Sequence, residues 1–207
     1  MFDHHIFTDF VYLLVVIDPV SLVPEFIAVT RNHSPESRRR MAIRGSVIAA
    51  AILVAFIIVG QILLEALGIT LPSFSIAGGL VLLAISLQRV LTTEDIHLDE
   101  VARSGDVVRD VSVFPLATPY IAGPASILAV VLLTDNQKFG VIEQTQTTLV
   151  MLFILAVTCG VLLASGPVQR LLGRTGADVI SRISGLVLAA LAVETILQGI
   201  RASFSLT

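Results

Sequence analysis

Two short runs of this sequence place residues capable of chemistry inside stretches that are otherwise apolar. The first is Asp18-Pro19-Val20-Ser21-Leu22-Val23-Pro24-Glu25, within an apolar stretch over 6–30; the second is Thr118-Pro119-Tyr120-Ile121-Ala122-Gly123-Pro124-Ala125-Ser126, within 113–134. A proline inside a helix has no N–H to donate and leaves the carbonyl four residues earlier unpartnered. It also pushes the preceding residue out of the helical region. In hydrocarbon such open backbone survives only against protein or water. Exposed amides and carbonyls at a break suit a small zwitterion or ion, and the adjoining helix ends add partial charge of either sign. Simple kinking of two helices is the plainer alternative.

Asp18 stands about twelve residues into its stretch, near mid-depth of a bilayer, where a carboxylate costs roughly 2.5–3.5 kcal/mol. Such a group faces a cavity or finds a partner. Two compatible roles follow for Asp18: bonding the amides freed by the break, or holding a substrate ammonium or a coupling proton. The expected substrate-binding set is Asp18, Pro19, Ser21, Pro24 and Glu25 from the first run, with Thr118, Pro119, Gly123, Pro124 and Ser126 from the second. Asp18, Gln88 and Glu194 are the candidates for coupling or gating, the last two being equivalent positions in the third and sixth stretches. Glu65 reads as interfacial and Cys159 as a small packing residue. His4, His5, His33 and His97 fall in tails or loops, so no metal and no cofactor is expected.

The two runs are related. Asp18-Pro19 and Pro24 recur as Thr118-Pro119 and Pro124, displaced by 100 positions, and Gly60 matches Gly160 at the same displacement. Gly79-Leu80-Val81-Leu82-Leu83-Ala84 is echoed by Gly185-Leu186-Val187-Leu188-Ala189-Ala190, displaced by 106. A bilayer core about 30 Å thick needs about 20 apolar residues as helix. Six stretches qualify, at 6–30, 43–64, 71–91, 113–134, 147–169 and 180–200. The expected fold is an all-α integral membrane protein of six transmembrane helices, with helices one and four broken at Pro-x4-Pro. Its domains are a three-helix repeat over 1–91, a cytoplasmic linker over 92–112 and a second repeat over 113–207. Three spans are an odd number, so the second repeat enters inverted, the plan of many secondary transporters. Gly78-Gly79 and Gly185 would let helices approach closely.

Composition agrees. Of 207 residues, 55% are hydrophobic and 14% charged, against about a quarter charged in ordinary soluble domains. Basic residues collect in cytoplasmic loops. The loops after stretches one, three and five hold eleven of the thirteen: Arg31, Arg38, Arg39, Arg40 and Arg44; Arg89, Arg103 and Arg109; Arg170, Arg174 and Arg182. Only Lys138 and Arg201 lie on the other side, which places both termini outside the cytoplasm. The cluster at 38–40 marks topology, with an anionic-lipid site as the lesser alternative.

The quoted residues resemble the MarC family of small bacterial inner-membrane proteins. Ile17-Asp18-Pro19-Val20-Ser21-Leu22-Val23-Pro24-Glu25-Phe26 is similar to its first signature, and Phe114-Pro115-Leu116-Ala117-Thr118-Pro119-Tyr120-Ile121-Ala122-Gly123-Pro124 to its second. Ala77-Gly78-Gly79 and Arg182-Ile183-Ser184-Gly185 fit its third and sixth helices. The resemblance implies six helices, kinship with amino-acid exporters of the LysE type, and small neutral amino acids as substrates of some members. The chain departs from the family at Ser21-Leu22, often Gly-Asn, at Glu25, often aliphatic, at Ala125, often glycine, and at Gln88, often an acid.

The function expected is transport of a small neutral amino acid or similar zwitterion by alternating access, coupled to an ion gradient. A passive channel or a non-transporting scaffold is the alternative. No nucleotide-binding loop and no pair of deep catalytic groups is visible, so no enzyme is expected. The partners expected are a small-molecule substrate, the lipid bilayer and at most further copies of the chain, with no nucleic acid. The membrane expected is the bacterial inner membrane.

Overall fold

In the computed structural model, which describes residues 3–91, 111–136 and 138–204, every regular element among the described residues is helical. The helices are α1 (Asp3–Ile17), α2 (Leu22–Val29), α3 (Pro35–Ala66), α4 (Leu71–Leu91), α5 (Pro124–Leu133), α6 (Val141–Leu163) and α7 (Ser165–Phe204). Ahead of α5 lies a segment of wide turns, Ser112–Ile121. Most of the 92–112 linker, with its acidic residues from Glu94, lies outside the described residues.

Five pieces are long and apolar enough to cross a membrane: His5–Val29, Pro35–Ala66, Leu71–Leu91, Val141–Leu163 and Val179–Phe204. The wide-turn segment and α5, bent by 55° where they join, bring the number to six if the pair is one span. The apolar outside of the bundle fits that setting. Ile58, Ile62, Leu80, Phe153 and Leu186 are large and exposed, an unusual surface for a protein in water. The core is equally apolar, built on Leu13, Ile17, Phe26, Leu53, Leu116, Leu128 and Met151.

Local sequence sets most helix ends. Ser34 accepts from the Ser37 amide (3.3 Å) and Pro35 opens α3, where a missing N–H costs nothing. The fifth stretch, expected at 147–169, instead forms α6 at Val141–Leu163. Its first turns are rich in threonine, but Thr145, Thr147 and Thr148 return their hydroxyls to carbonyls four residues back. They read as polar while remaining helical. At the other end Ser165-Gly166-Pro167 already belongs to α7, which is itself interrupted at Gly173 (φ 63°).

The most extensive packing is between α4 and α7. Small residues seat it: Gly79 lies against the Ala192 carbonyl and Ile196, and Gly185 against the Ser86 carbonyl, Arg89 and Val90.

Candidate functional site

The first break covers Asp18–Ser21, just ahead of Pro24 rather than across it. Pro24 falls in the first turn of α2, where amides have no intrahelical partner in any case. Asp18 ends α1, its amide donating to the Leu14 carbonyl (2.9 Å), and its φ is 47°. Aspartate is one of the few residues besides glycine to visit that region. The Asp18 side chain is 7% exposed. Its Oδ1 accepts from the Ser21 amide (3.4 Å) and its Oδ2 from Arg89 Nη1 (2.7 Å). A charge-assisted bond of this kind is among the stronger ones.

Beside this pair stand two groups without one. Ser21 Oγ and Glu25 Oε2 are buried and have no hydrogen-bond partner among the described residues. Ser21 is the N-cap residue of α2 and Glu25 follows four residues on, so the two share a face. Arg89 is taken by Asp18, so Glu25 is left without an ion-pair partner among the described residues.

The second break is built of backbone. Phe114 (φ −130°, ψ 126°) and Thr118 (φ −135°, ψ 124°) are extended, each before a cis proline, Pro115 and Pro119. Wide turns follow, closed by Leu116 N–H to the Val111 carbonyl (3.2 Å) and Ala122 N–H to the Ala117 carbonyl (2.8 Å). Gly123, extended at ψ 176°, enters α5 with no side chain capping that end. A Cβ on Gly123 would collide with the Pro119 carbonyl oxygen. Ser126 is buried and donates to the Ile121 carbonyl (2.8 Å), whereas Thr118, Pro119 and Pro124 are exposed.

Both half-helices end alike. Thr30 after α2 donates to the Phe26 carbonyl (2.6 Å), and Thr134 after α5 to the Val130 carbonyl (2.7 Å). In each case α3 holds the threonine's own carbonyl. Arg38 Nε donates to Thr30 (3.0 Å) and Gln61 Nε2 to Thr134 (2.8 Å). Arg38 and Gln61 stand about 34 Å apart along α3 at 1.5 Å per residue. The C-terminal ends of α2 and α5 therefore lie at opposite ends of α3, and their N-terminal ends, about 12 and 15 Å back, fall between.

Not every expected site residue joins this region. Gln88 is exposed on α4; its neighbour Arg89 turns inward, and adjacent helical positions differ by about 100°. Glu194 is exposed on α7, accepts from Gln198 (3.0 Å) and lines a cavity of about 360 Å³ with Tyr12, Asp135, Lys138 and Thr195. That cavity lies beyond the end of α5, away from Asp18. Arg89, read above as a loop charge, belongs to the site. Its signal was present, since it lies inside the 71–91 stretch and Asp18 needed a cation. A second buried carboxylate also escaped notice. Asp9 accepts from Thr147 Oγ1 (2.5 Å) and pairs with His5 Nδ1 (3.2 Å), so His5 is not a loose tail residue.

Comparison with known proteins agrees along the whole chain. The family described as MarC family integral membrane protein matches residues 3–204. A UPF0056 membrane protein of Methanocaldococcus jannaschii is 35% identical, covering 90% of this chain and 91% of its own. Another from Aquifex aeolicus is also 35% identical (93% and 90%), and one from Buchnera aphidicola 30% (99% and 97%). No solved structure matches the chain.

Proposed function

The chain belongs to the MarC family of integral membrane proteins, and on that footing we propose that it carries a small neutral amino acid or similar zwitterion by alternating access. One observation carries this reading. Two half-helices begin between the ends of α3, and buried acceptors without partners among the described residues, Ser21 Oγ and Glu25 Oε2, sit at the start of one of them. A primary ammonium satisfies such acceptors. The substrate carboxylate is assigned to the uncapped start of α5 around Gly123, where helix amides and dipole favour an anion. Asp18 and Arg89 position α2, and coupling to a proton or sodium gradient falls to Glu25 and Asp18. The substrate is released unchanged, so no catalytic step is part of this reading.

The six spans are read as two inverted three-helix repeats. The glycine contacts support this: Gly79 meets position 192, and Gly185, which is 79 displaced by 106, meets position 86, which is 192 displaced back by 106. Exchange of roles across a contact is what a two-fold axis requires. The opposite headings of α2 and α5 support it too. With Arg89 withdrawn to the site, ten basic residues still favour the loops after stretches one, three and five. The termini are therefore assigned to the outside of the cell membrane.

The test is counterflow and uphill uptake of labelled glycine, alanine and serine in proteoliposomes. Saturable flux by the wild-type protein, and its loss by about tenfold or more in Glu25→Gln, a change worth roughly 1.4 kcal/mol, is the expected outcome. Flux that never saturates would indicate a channel, and no flux of any zwitterion a scaffold.

A further inference from the structure

The arginine cluster at 38–40 has no part in the transport site. Where the start of α3 meets α2 and the α6–α7 junction there is a cavity of about 520 Å³. Phe26, Leu162 and Leu163 line it together with Arg38 and Arg39, and no carboxylate lines it among the described residues. The three arginines are not equivalent. Arg38 is spent on backbone, donating to the Thr30 and Arg31 carbonyls (3.0 and 3.3 Å). Arg40 reaches Glu36 at 3.9 Å. Arg39 alone of the three has neither a hydrogen bond nor an ion pair among the described residues.

We propose that this cavity binds the phosphate of an anionic glycerophospholipid headgroup, with Arg39 as its principal ligand and the apolar wall as the seat of the upper acyl chain. A planar guanidinium matches phosphate oxygens two at a time. Polar surface alone would suit any soluble anion. The apolar wall is what selects a lipid, because Leu163 is exposed on the outside of the bundle and continues the wall towards hydrocarbon. The site is independent of what the protein transports.

Native mass spectrometry of the full chain in a neutral detergent tests this. Phosphatidylglycerol, phosphatidylcholine and inorganic phosphate are the probes, with thermal unfolding as a check on folding. Phosphatidylglycerol should be retained at least about fivefold better than phosphatidylcholine, the scale of one basic residue near an anionic surface. Arg39→Gln should abolish that preference with no change in Tm, and Arg40→Gln should keep it. Equal retention of the two lipids would overturn the proposal. So would equal weakening by Arg39→Gln and Arg40→Gln, which would mean diffuse attraction. Displacement of phosphatidylglycerol by millimolar inorganic phosphate would also overturn it, leaving a free-anion site in its place.

Discussion

The two breaks occupy matched positions yet solve the same problem by different chemistry. At the first, the buried Asp18 turns the chain with a positive φ and is held by the part-buried Arg89. At the second, Thr118 stands at the matched position without charge, and extended residues, two prolines and Gly123 make the turn from backbone alone. Glu25 has Ala125 as its counterpart. On the proposed repeat, the scaffold has kept a break in each half and charge at only one of them. In the proposed site, this lets one half recognise the cationic end of a zwitterion and the other its anionic end.

The sharpest way to break this comparison is at the matched pair. Asp18→Asn leaves the part-buried Arg89 without its counter-ion and should cost about 3 kcal/mol, the lower end for a buried pair, read as a large fall in Tm in detergent. The double variant Asp18→Asn/Arg89→Gln should regain most of the loss, since neither partner is left charged. Thr118→Val at the equivalent position should stay within about 0.5 kcal/mol of wild type, as exposed positions usually do. Equal losses at 18 and 118 would mean that charge does not distinguish the breaks.

A smaller effect should appear at Gly123. Alanine there must push the Pro119 carbonyl aside, at about 1–3 kcal/mol, whereas Gly160→Ala, with open space around it, should change Tm little. Ser21→Ala offers the reverse signature. Its hydroxyl has no partner to lose, so stability should be unchanged or slightly raised, while half-saturation for substrate rises. A stability loss at Ser21 without a transport change would remove it from the site. The smallest effect is expected at Gln88→Ala, within about 0.5 kcal/mol and with unaltered flux.

Some of this was legible in the sequence. Apolar run length showed an all-helical chain with five to six pieces able to cross a membrane, because hydrocarbon thickness leaves few options. The start of α6 was not legible, because threonine hydroxyls can bond their own helix and so hide inside a span. The partner of Asp18 was missed because a basic residue near a helix end serves equally as a loop charge or as an inward counter-ion. Only the rotation of α4 decides between them, and the same rotation turned Gln88 outward. Asp9 and Gln61 were invisible for a related reason: each is satisfied by an element distant in sequence, Thr147 for the one and Thr134 for the other.

α3 is one unbroken helix of 32 residues, and it grips the tail of α2 through Arg38 and the tail of α5 through Gln61. A continuous helix transmits displacement along its axis almost without compression. Both tails therefore hang on one rigid element, and a slide of α3 by one residue, about 1.5 Å, would disturb the two grips together.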